Sequence, residues 1–363
     1  MRMRRQVLLD ALACAVLAPA LSACSSGADE QQVARALRRP VDPGRGDRQA
    51  LMRELVRQAT LAPSSHNTQC WRFHLGERAI AIAPDLARRC PVVDPDDHHL
   101  HVSLGCATEN LVQAALAHGL HADARLGDDG AIAVDLAPTR ALATPLFDAI
   151  AERQCTRGDY DGQPLSTGEL RLLELAGSGQ GVHVLLLTGR PAMEKVLDVV
   201  VAANTAQMDD PAFIAELKAW IRFGADEAAR TGDGLFAATT GNPALPRWLG
   251  SRMMDLFFTA RSENDRYARQ LRASSGIAVF FSELGDRTHW VEAGRCYERF
   301  ALQATALGIR NAMLNQPVEV GALRPGFAAL LGLGRYRPDL VVRFGRGPAM
   351  PWAMRRPVAA VLG

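Results

Sequence analysis

The chain has 363 residues, of which 48% are hydrophobic and 22% are charged, and its formal net charge is +2. This is the balance of a globular protein with enough apolar residues for a core, and the length suggests two domains or one large one. A charge so close to zero argues against a surface that binds nucleic acid.

The first 23 residues have the features of an export signal. Arg4 and Arg5 precede a weakly apolar segment that runs to Leu21 and is too short to span a membrane, an order typical of a twin-arginine signal. The segment ends in a lipobox-like sequence, LSAC, whose last residue is Cys24. We therefore predict a signal peptide over 1–23, an exported periplasmic or cell-surface location, and attachment to the membrane surface through a lipid on Cys24.

Residues 24–49 are rich in Ser, Gly, Gln, Arg, Pro and Asp in irregular order, which predicts a flexible tether. We divide the rest of the chain into a first half, 50–143, and a second half, 144–363. Five cysteines follow the tether and no CxxC pair occurs, which argues against a zinc ribbon or a thioredoxin-type site. The sequence does not decide whether two of these cysteines form a disulfide, nor which two would pair.

Apolar periodicity and turn residues predict helices and strands in both halves. In the first half we expect a helix ending before Pro63, strands at 71–75 and 79–83, a long helix that Ser103 could cap and that reaches His118, and strands at 121–126 and 131–136. In the second half we expect helices at 146–152, 166–176, 192–208, 213–223, 252–272 and 289–307, strands at 182–187, 277–282 and 340–344, and a Gly- and Pro-rich loop at 231–246. The predicted fold class is α+β.

The two long helices resemble each other. Residues 105–120 align without gaps on 294–309, and Gly, Glu, Ala and Gly match at a constant offset of 189. Small residues on one face let two helices approach closely. Two unrelated Ala-rich helices would also look alike, but a duplication would make the chain a fused dimer whose central helices pack together.

The sequence APSSHNTQCW, residues 62–71, lies between a predicted helix and a predicted strand. Pro63 restricts the loop, while Ser64, Ser65 and Asn67 offer short polar groups and accessible backbone, which a flavin needs along its pyrimidine edge and ribityl chain. Ser and Asn are also common in ordinary polar turns. The segment resembles the APSxxNxQPW motif of the nitroreductase family of FMN enzymes, with Cys in place of the usual Pro.

The sequence RQCTR, residues 153–157, resembles the R-x-[ST]-x-R segment with which the same family grips the FMN phosphate. Arg153 and Arg157 match its arginines, and an arginine's planar fork suits two phosphate oxygens. Cys155 takes the hydroxyl position, so one hydrogen bond is either lost or supplied by Thr156. Without the resemblance, an exposed salt-bridging pair would explain these arginines equally well.

Two C-terminal segments extend the resemblance. Asn315, Gln316 and Pro317 follow the second long helix and are similar to the family segment whose backbone faces the flavin ring. Arg355 and Arg356 follow the last strand and a Gly- and Pro-rich stretch, as in the family ending whose basic side chains approach the phosphate. An exposed basic tail is the alternative for this pair.

The resemblance covers residues 48–363 and is closest to the Acg-type FMN-binding oxidoreductases, which contain two fused nitroreductase-like halves. Here the first half carries the Pro-Ser segment and the second half carries the Arg segment. Each flavin of a family dimer touches both subunits, so the resemblance implies an intrachain pseudo-dimer with one complete FMN site. A chain that forms its own dimer is also expected to be a monomer.

The resemblance implies hydride transfer from NAD(P)H through FMN to an electron-poor small molecule, a nitroaromatic or a quinone. The isoalloxazine supplies the redox chemistry, so we predict no catalytic acid, base or nucleophile. A non-catalytic protein that stores or withholds FMN, under a cover formed by 231–246, is the alternative. A flavin-free cleft used for interaction is a third possibility.

Three histidines, His98, His99 and His101, follow three acids within 94–97. The composition suits a metal, but the spacing matches no standard site and Asp is favoured before a helix, so we predict a structural or solvent role and no metal. No GxGxxG follows a strand and no GxSxG occurs, which argues against a Rossmann domain and a serine hydrolase.

Overall fold

The computed structural model describes residues 27–39 and 46–363, so the predicted signal peptide and Cys24 lie outside the described residues. The helices of this part are α1 (Gly27–Arg38), α2 (Arg48–Thr60), α3 (His98–Ala117), α4 (Pro145–Ala149), α5 (Thr167–Ala176), α6 (Arg190–Met208), α7 (Pro211–Trp220), α8 (Ala225–Thr231), α9 (Arg247–Phe257), α10 (Ala260–Arg272), α11 (Arg287–Ala306), α12 (Gln316–Glu319) and α13 (Arg324–Leu330). The strands are β1 (Trp71–Leu75), β2 (Ala79–Pro84), β3 (Leu120–Leu126), β4 (Ile132–Pro138), β5 (Val182–Leu187), β6 (Ile221–Arg222), β7 (Leu235–Phe236), β8 (Gly276–Ser282), β9 (Arg310–Met313) and β10 (Arg337–Gly345).

Two four-stranded antiparallel sheets have the same topology. Their strand orders are β1-β2-β4-β3 and β5-β8-β10-β9. In each sheet the second strand in chain order leads into a long helix, α3 or α11, and the helix leads into the last two strands. Helices and antiparallel sheets are therefore mixed as the α+β prediction requires. Among the described residues, no helix is both long enough and apolar enough to cross a membrane.

The long helices α3 and α11 pack against each other between the sheets. A Cβ atom on Gly105 would overlap the carbonyl oxygen of Val291, and one on Gly294 would overlap that of Val102. The two contacts correspond by the same offset of 189 that relates the aligned sequences. Because only glycine allows backbones to come so close, these two residues fix the point at which the helices cross. One apolar core includes residues of both helices and both sheets.

Helix α1 occupies much of the segment predicted as a tether. Ala34 is fully buried in a small apolar cluster with Phe236 and Met354, and α1 contacts α8. The guanidinium of Arg38 lies 4.3 Å from the ring centre of Trp352. The prediction of a flexible tether is therefore wrong for Gly27–Arg38, because contacts with the distant C-terminal segment stabilise a helix that its own composition does not indicate.

Three local predictions also need correction. Helix α3 begins at His98 and not near Ser103, because the Asp94 carboxylate accepts hydrogen bonds from the backbone of His99 and Leu100, both at 2.9 Å. The helix expected over 252–272 is two helices, α9 and α10, since Thr259 caps a new start with Ser262. The loop expected at 231–246 contains strand β7, which pairs with β6.

The five cysteines of the described residues are free thiols, namely Cys70, Cys90, Cys106, Cys155 and Cys296.

Candidate functional site

A cavity of about 190 Å³ lies where the loop after α2, the start of α3, the segment after α4 and the C-terminal segment meet. Most residues predicted from the motifs line this cavity: Pro63, Ser64, Ser65, Asn67, Arg153, Cys155, Arg157, Asn315 and Arg355. These residues come from both halves of the chain, so the cavity is formed by the two halves together.

The loop after α2 has an unusual backbone. His66, Asn67 and Gln69 have φ angles of 47°, 53° and 53°, in the left-handed region that residues other than glycine seldom adopt. The Ser64 hydroxyl accepts a hydrogen bond from the Gln69 amide at 2.9 Å, which closes the loop. Such conformations cost of order 1 kcal/mol or more each and concentrate at functional sites, where surrounding contacts hold them.

Asn67 connects this loop to two distant segments. Its side-chain amide donates to the carbonyl oxygens of Gly234, at 2.9 Å, and Met354, at 3.2 Å. Its side-chain oxygen accepts from Arg355 at 3.0 Å. Asn67 therefore positions the cavity wall and Arg355, a role that the flavin-contact prediction did not include.

Three buried arginines, Arg38, Arg153 and Arg355, line one end of the cavity. Arg153 and Arg355 both donate from Nη2 to the carbonyl oxygen of Leu61, at 2.8 and 3.0 Å, so their guanidinium groups are neighbours. Burial lowers the pKa of Arg38 to about 9, and the charge of Arg153 adds to this effect. Burial also lowers the pKa of Arg355, with further contributions from the charges of Arg38 and Arg153. The three positive charges therefore act on one another.

The positive charge of this three-arginine cluster is incompletely balanced. Glu298 pairs with Arg153 at 3.0 Å, but burial raises the pKa of Glu298 to about 7, so it is partly protonated at neutral pH. Within the described residues, Nε and Nη1 of Arg38, Nη1 of Arg153 and Nε of Arg355 have no hydrogen-bond acceptor. Burial of neighbouring positively charged groups whose N–H donors lack acceptors costs free energy, unless an anion accepts their hydrogen bonds and balances their charge. The cluster thus has the charge and the donors of a phosphate site.

Sequence reasoning missed Arg38. Its role depends on α1 packing against Trp352 and Ala353, and nothing near Arg38 in the sequence indicates this contact. It also missed Glu298 as a charge partner, although the aligned helices contain Glu109 at the corresponding position. Glu109 is instead paired with Arg295 and Arg299 of α11.

A second cavity, of about 440 Å³, adjoins the first. Six residues line both cavities and so mark their junction: His66, Arg157, Leu235, Met313, Asn315 and Glu319. Burial lowers the pKa of His66 to about 4, so its imidazole is neutral at neutral pH. Apolar side chains of α6, α7 and α9 line much of the second cavity, among them Met208, Phe213, Leu217, Met253, Met254 and Phe257. Helix α10 contributes Tyr267 and the polar side chains of Glu263, Arg266 and Gln270. No sequence motif predicted this cavity.

Three predicted residues lie apart from the arginine cluster. Gln316 lines the second cavity only. Pro317 is buried in the first turn of α12 and lines neither cavity. Arg356 also lines neither cavity, because its guanidinium turns back to the carbonyl oxygen of Ala360 at 2.5 Å. Of the C-terminal pair, only Arg355 therefore faces the cavity in the structure, and a contact of Arg356 with an anion stays a prediction.

The histidines at the start of α3 are buried, which excludes the solvent role considered for them. Asp94, His98 and His99 each offer one ligand atom, and these atoms lie within 4.8 Å of one another. Nε2 of His98 also lies 3.2 Å from Asp339, whose pKa burial raises to about 7. The cluster is a buried polar network, and one of its members, His99, lines the first cavity.

No protein-family model matches the chain. Two proteins of Mycobacterium tuberculosis, from strains CDC 1551 / Oshkosh and ATCC 25618 / H37Rv, are each 26% identical to it over 330 residues, which cover 86% of this chain and 90% of theirs. Both carry the name "Putative NAD(P)H nitroreductase".

Solved structures give weaker similarities. A nitroreductase with bound FMN from Desulfitobacterium hafniense DCB-2 is 19% identical, with 58% of this chain and 94% of that chain covered and a TM-score of 0.36. The FMN-dependent nitroreductase NfnB from Mycobacterium smegmatis, in complex with NADPH, is 17% identical, with 56% and 87% covered and a TM-score of 0.36. The chain is thus similar, over most of its length, to two proteins named as nitroreductases.

Proposed function

We propose that this protein is an FMN-dependent oxidoreductase of the nitroreductase type, which passes hydride from NAD(P)H through FMN to an electron-poor acceptor such as a nitroaromatic or a quinone. The observation that carries the proposal is the buried cluster of Arg38, Arg153 and Arg355 at one end of a cavity. The similarity to two proteins named as NAD(P)H nitroreductases, over 86% of the chain, supports the same reading.

The residues present fit FMN at its phosphate end. FMN carries a phosphate monoester, and the arginine cluster offers unpaired donors and excess positive charge for such an anion. The Pro63–Asn67 loop, Cys155 and Asn315 supply polar groups along the rest of the cavity, and Val102, Leu235, Met313 and Leu340 supply apolar contacts. A polar end and an apolar body are what a phosphorylated ring system requires.

FMN, when bound, supplies the redox chemistry by accepting and donating hydride. The chain's own residues then bind the phosphate, hold the cavity wall through Asn67, and keep a neutral imidazole, His66, at the junction of the two cavities. We assign no acid, base or nucleophile to the protein.

We further propose that the chain is an intrachain pseudo-dimer with one FMN site between its halves. Three features support this: the same strand order in both sheets, the reciprocal contacts of Gly105 and Gly294, and a cavity lined by residues of both halves. In this arrangement a single chain completes its own site. Measurement of the mass of the native protein in solution tests the expected monomer.

We also propose that the mature protein is exported and anchored by a lipid on Cys24, as the N-terminal sequence suggests. Mass spectrometry of the protein's N-terminal peptide from membranes tests this proposal. A lipid adduct on Cys24 is the expected result, and an unmodified N-terminal Met1 would contradict it.

A protein that stores or withholds FMN is the second candidate, because the segment around Gly234 covers part of the cavity. Asn67 holds the Gly234 carbonyl, and Gln69 holds that of Gly232 at 2.8 Å. A fixed cover of this kind favours retention of a ligand over exchange of substrates.

The visible spectrum of the purified protein, recorded before and after anaerobic NADPH or NADH, distinguishes the two candidates. We expect a flavin spectrum that bleaches with at least one nicotinamide and returns when a nitroaromatic or quinone is added. A flavin spectrum that neither donor changes would support storage. A protein that stays colourless after FMN is added would contradict both candidates, and an Arg153→Met variant with normal FMN binding would contradict the assigned phosphate site.

A further inference from the structure

Helix α9 presents an apolar face to solvent. Four large apolar residues of this one helix are exposed, to 69%, 40%, 69% and 63%: Trp248, Met253, Leu256 and Phe257. At the spacing of an α-helix these four residues fall within one half of the helix circumference. Gly250 lies at the edge of that half, two turns before Phe257, and packs against Phe223 so closely that a Cβ atom would lie 2.6 Å from its ring. A helix on a water-exposed surface normally has the opposite arrangement, so such a face marks an interaction site.

The second cavity opens at this face. Met253 and Phe257 both line the cavity and are exposed to solvent, whereas Trp248 and Leu256 are exposed without lining it. The mouth of the cavity is therefore bordered by apolar side chains. A molecule that enters here passes from an apolar surface along the apolar wall that α7 and α9 give the cavity, and reaches, at the junction with the first cavity, the proposed position of the flavin.

The charges on this face suit an anionic lipid surface. Asp255 is paired with Lys218 at 2.7 Å, so its charge is balanced. Arg252 is exposed on the same side of α9 and has no ion-pair partner within the parts of the chain that the structure describes. The face therefore combines exposed apolar side chains with one unpaired positive charge, a combination that suits contact with both the acyl chains and the anionic headgroups of a lipid surface.

We propose that α9 rests on the surface of a phospholipid bilayer and that the second cavity takes a quinone with a long apolar tail from that bilayer. The quinone part of this inference rests on the proposed function. A folded protein partner on this face would cover the mouth of the cavity, whereas a fluid bilayer leaves the mouth accessible and also dissolves the ligand. The quinone ring occupies the cavity and its tail leaves past Met253 and Phe257.

The overall reaction balances without a further reagent. The C4–H bond of the NAD(P)H nicotinamide breaks and a hydride leaves, so NAD(P)H is oxidised to NAD(P)⁺. The quinone accepts the two electrons and the hydrogen of that hydride, takes one proton from water, and becomes the quinol.

Trp248 provides a direct test of bilayer contact in the full chain. It is exposed, whereas Trp71, Trp220, Trp290 and Trp352 are buried or half-buried. With vesicles of phosphatidylcholine and phosphatidylglycerol, we expect brominated acyl chains to quench tryptophan emission relative to unbrominated ones. The difference is expected to vanish in Trp248→Phe, which keeps an apolar ring but removes the fluorophore. Equal emission from wild type in the two kinds of vesicle would overturn the proposal.

The acceptor class is tested with the same benzoquinone with and without a decyl chain, in vesicles, under NAD(P)H turnover. We expect the Trp248→Gln/Leu256→Gln double variant to lose vesicle partitioning by about a hundredfold and to show a raised KM for the decyl quinone. Its kinetics with the tail-less quinone are expected to match wild type, since neither residue lines the cavity.

A matched control replaces two exposed leucines of α5, Leu172 and Leu175, by Gln; they are 44% and 64% exposed and line neither cavity. We expect this control to behave as wild type with both quinones. A wild-type enzyme that reduces the tail-less quinone as efficiently as the decyl quinone would overturn the acceptor assignment and leave the proposed function intact. A protein that reduces neither quinone nor a nitroaromatic would instead overturn the proposed function, and the quinone assignment with it.

Discussion

Replacement of Arg38 by Met tests whether α1 helps to bind the FMN phosphate. In the structure, Arg38 makes a weak 3.5 Å hydrogen bond to the Ala353 carbonyl and a cation–π contact with Trp352, while Nε and Nη1 have no acceptor among the described residues. Hydrogen bonds to a charged group contribute about 1.5–3 kcal/mol each. Loss of one such bond to phosphate should therefore weaken FMN binding by about ten- to a hundredfold.

The assay compares FMN with riboflavin, which lacks the phosphate. Apoprotein is titrated with each flavin and the quenching of flavin fluorescence gives Kd. For Arg38→Met we expect a higher Kd for FMN and an unchanged Kd for riboflavin. Arg35→Met is the matched control, because Arg35 is exposed on the same helix.

Two results would refute this reasoning. An equal loss of affinity for FMN and riboflavin would mean that Arg38 acts only by holding α1 in place. No change with either flavin would mean that the phosphate lies elsewhere. Arg38→Lys separates charge from geometry, since lysine restores the charge without the planar fork and is expected to recover part of the FMN affinity.

Three further predictions concern the helix crossing, the buried acid and the loop after α2. Gly294→Ala should lower the free energy of unfolding by about 3 kcal/mol in urea titrations, because the new Cβ atom overlaps a backbone oxygen. The control Gly168→Ala, whose Cβ atom would have nothing within 4 Å, should change this free energy by less than about 1 kcal/mol. Equal effects of the two substitutions would contradict the close crossing of the helices. Glu298 has a pKa of about 7 and gains negative charge beside Arg153 as the pH rises, so the FMN affinity of wild type should fall through pH 7. In Glu298→Gln, Kd measured from about pH 6.5 to 8.5 should change less with pH. The same slope of Kd against pH in both proteins would exclude Glu298 as the titrating group. Because the pKa of Glu298 is raised in the folded protein, the stability of the fold is expected to decrease as the pH rises from the ordinary carboxyl pKa of 4.5 to about 7. Asn67→Ala removes three buried hydrogen bonds, so it should lower Tm and weaken the binding of FMN and of riboflavin to the same extent. Weaker binding of FMN alone would instead indicate that Asn67 contacts the phosphate.

Local sequence patterns predicted much of the secondary structure. The capping box at Ser166 starts α5, with the Glu169 carboxylate and the Ser166 hydroxyl bonded to each other's backbone. Gly119 and Gly308 end the two long helices in the left-handed conformation, with φ of 76° and 69°. Strand β5 has the predicted bounds, 182–187. These features depend on residues within a few positions of each other, so the sequence alone specifies them.

The repeated helix was also visible in the sequence, because its crossing needs small residues at fixed spacing on both helices. Gly105 and Gly294 make corresponding close contacts, with the carbonyl oxygens of Val291 and Val102. The partial motifs around Ser64, Arg153 and Arg355 likewise indicated residues that the fold brings to one cavity.

Tertiary structure decided the rest. Whether Arg38 lies in a tether or in the buried arginine cluster depends on Trp352. Whether Arg355 or Arg356 faces the cavity depends on contacts with Asn67 and Ala360. The lining of the second cavity is drawn from residues far apart in the chain, from His66 to Arg343. Burial and the balance of charge depend on such distant neighbours, and these are the quantities that a local pattern of residue types does not contain.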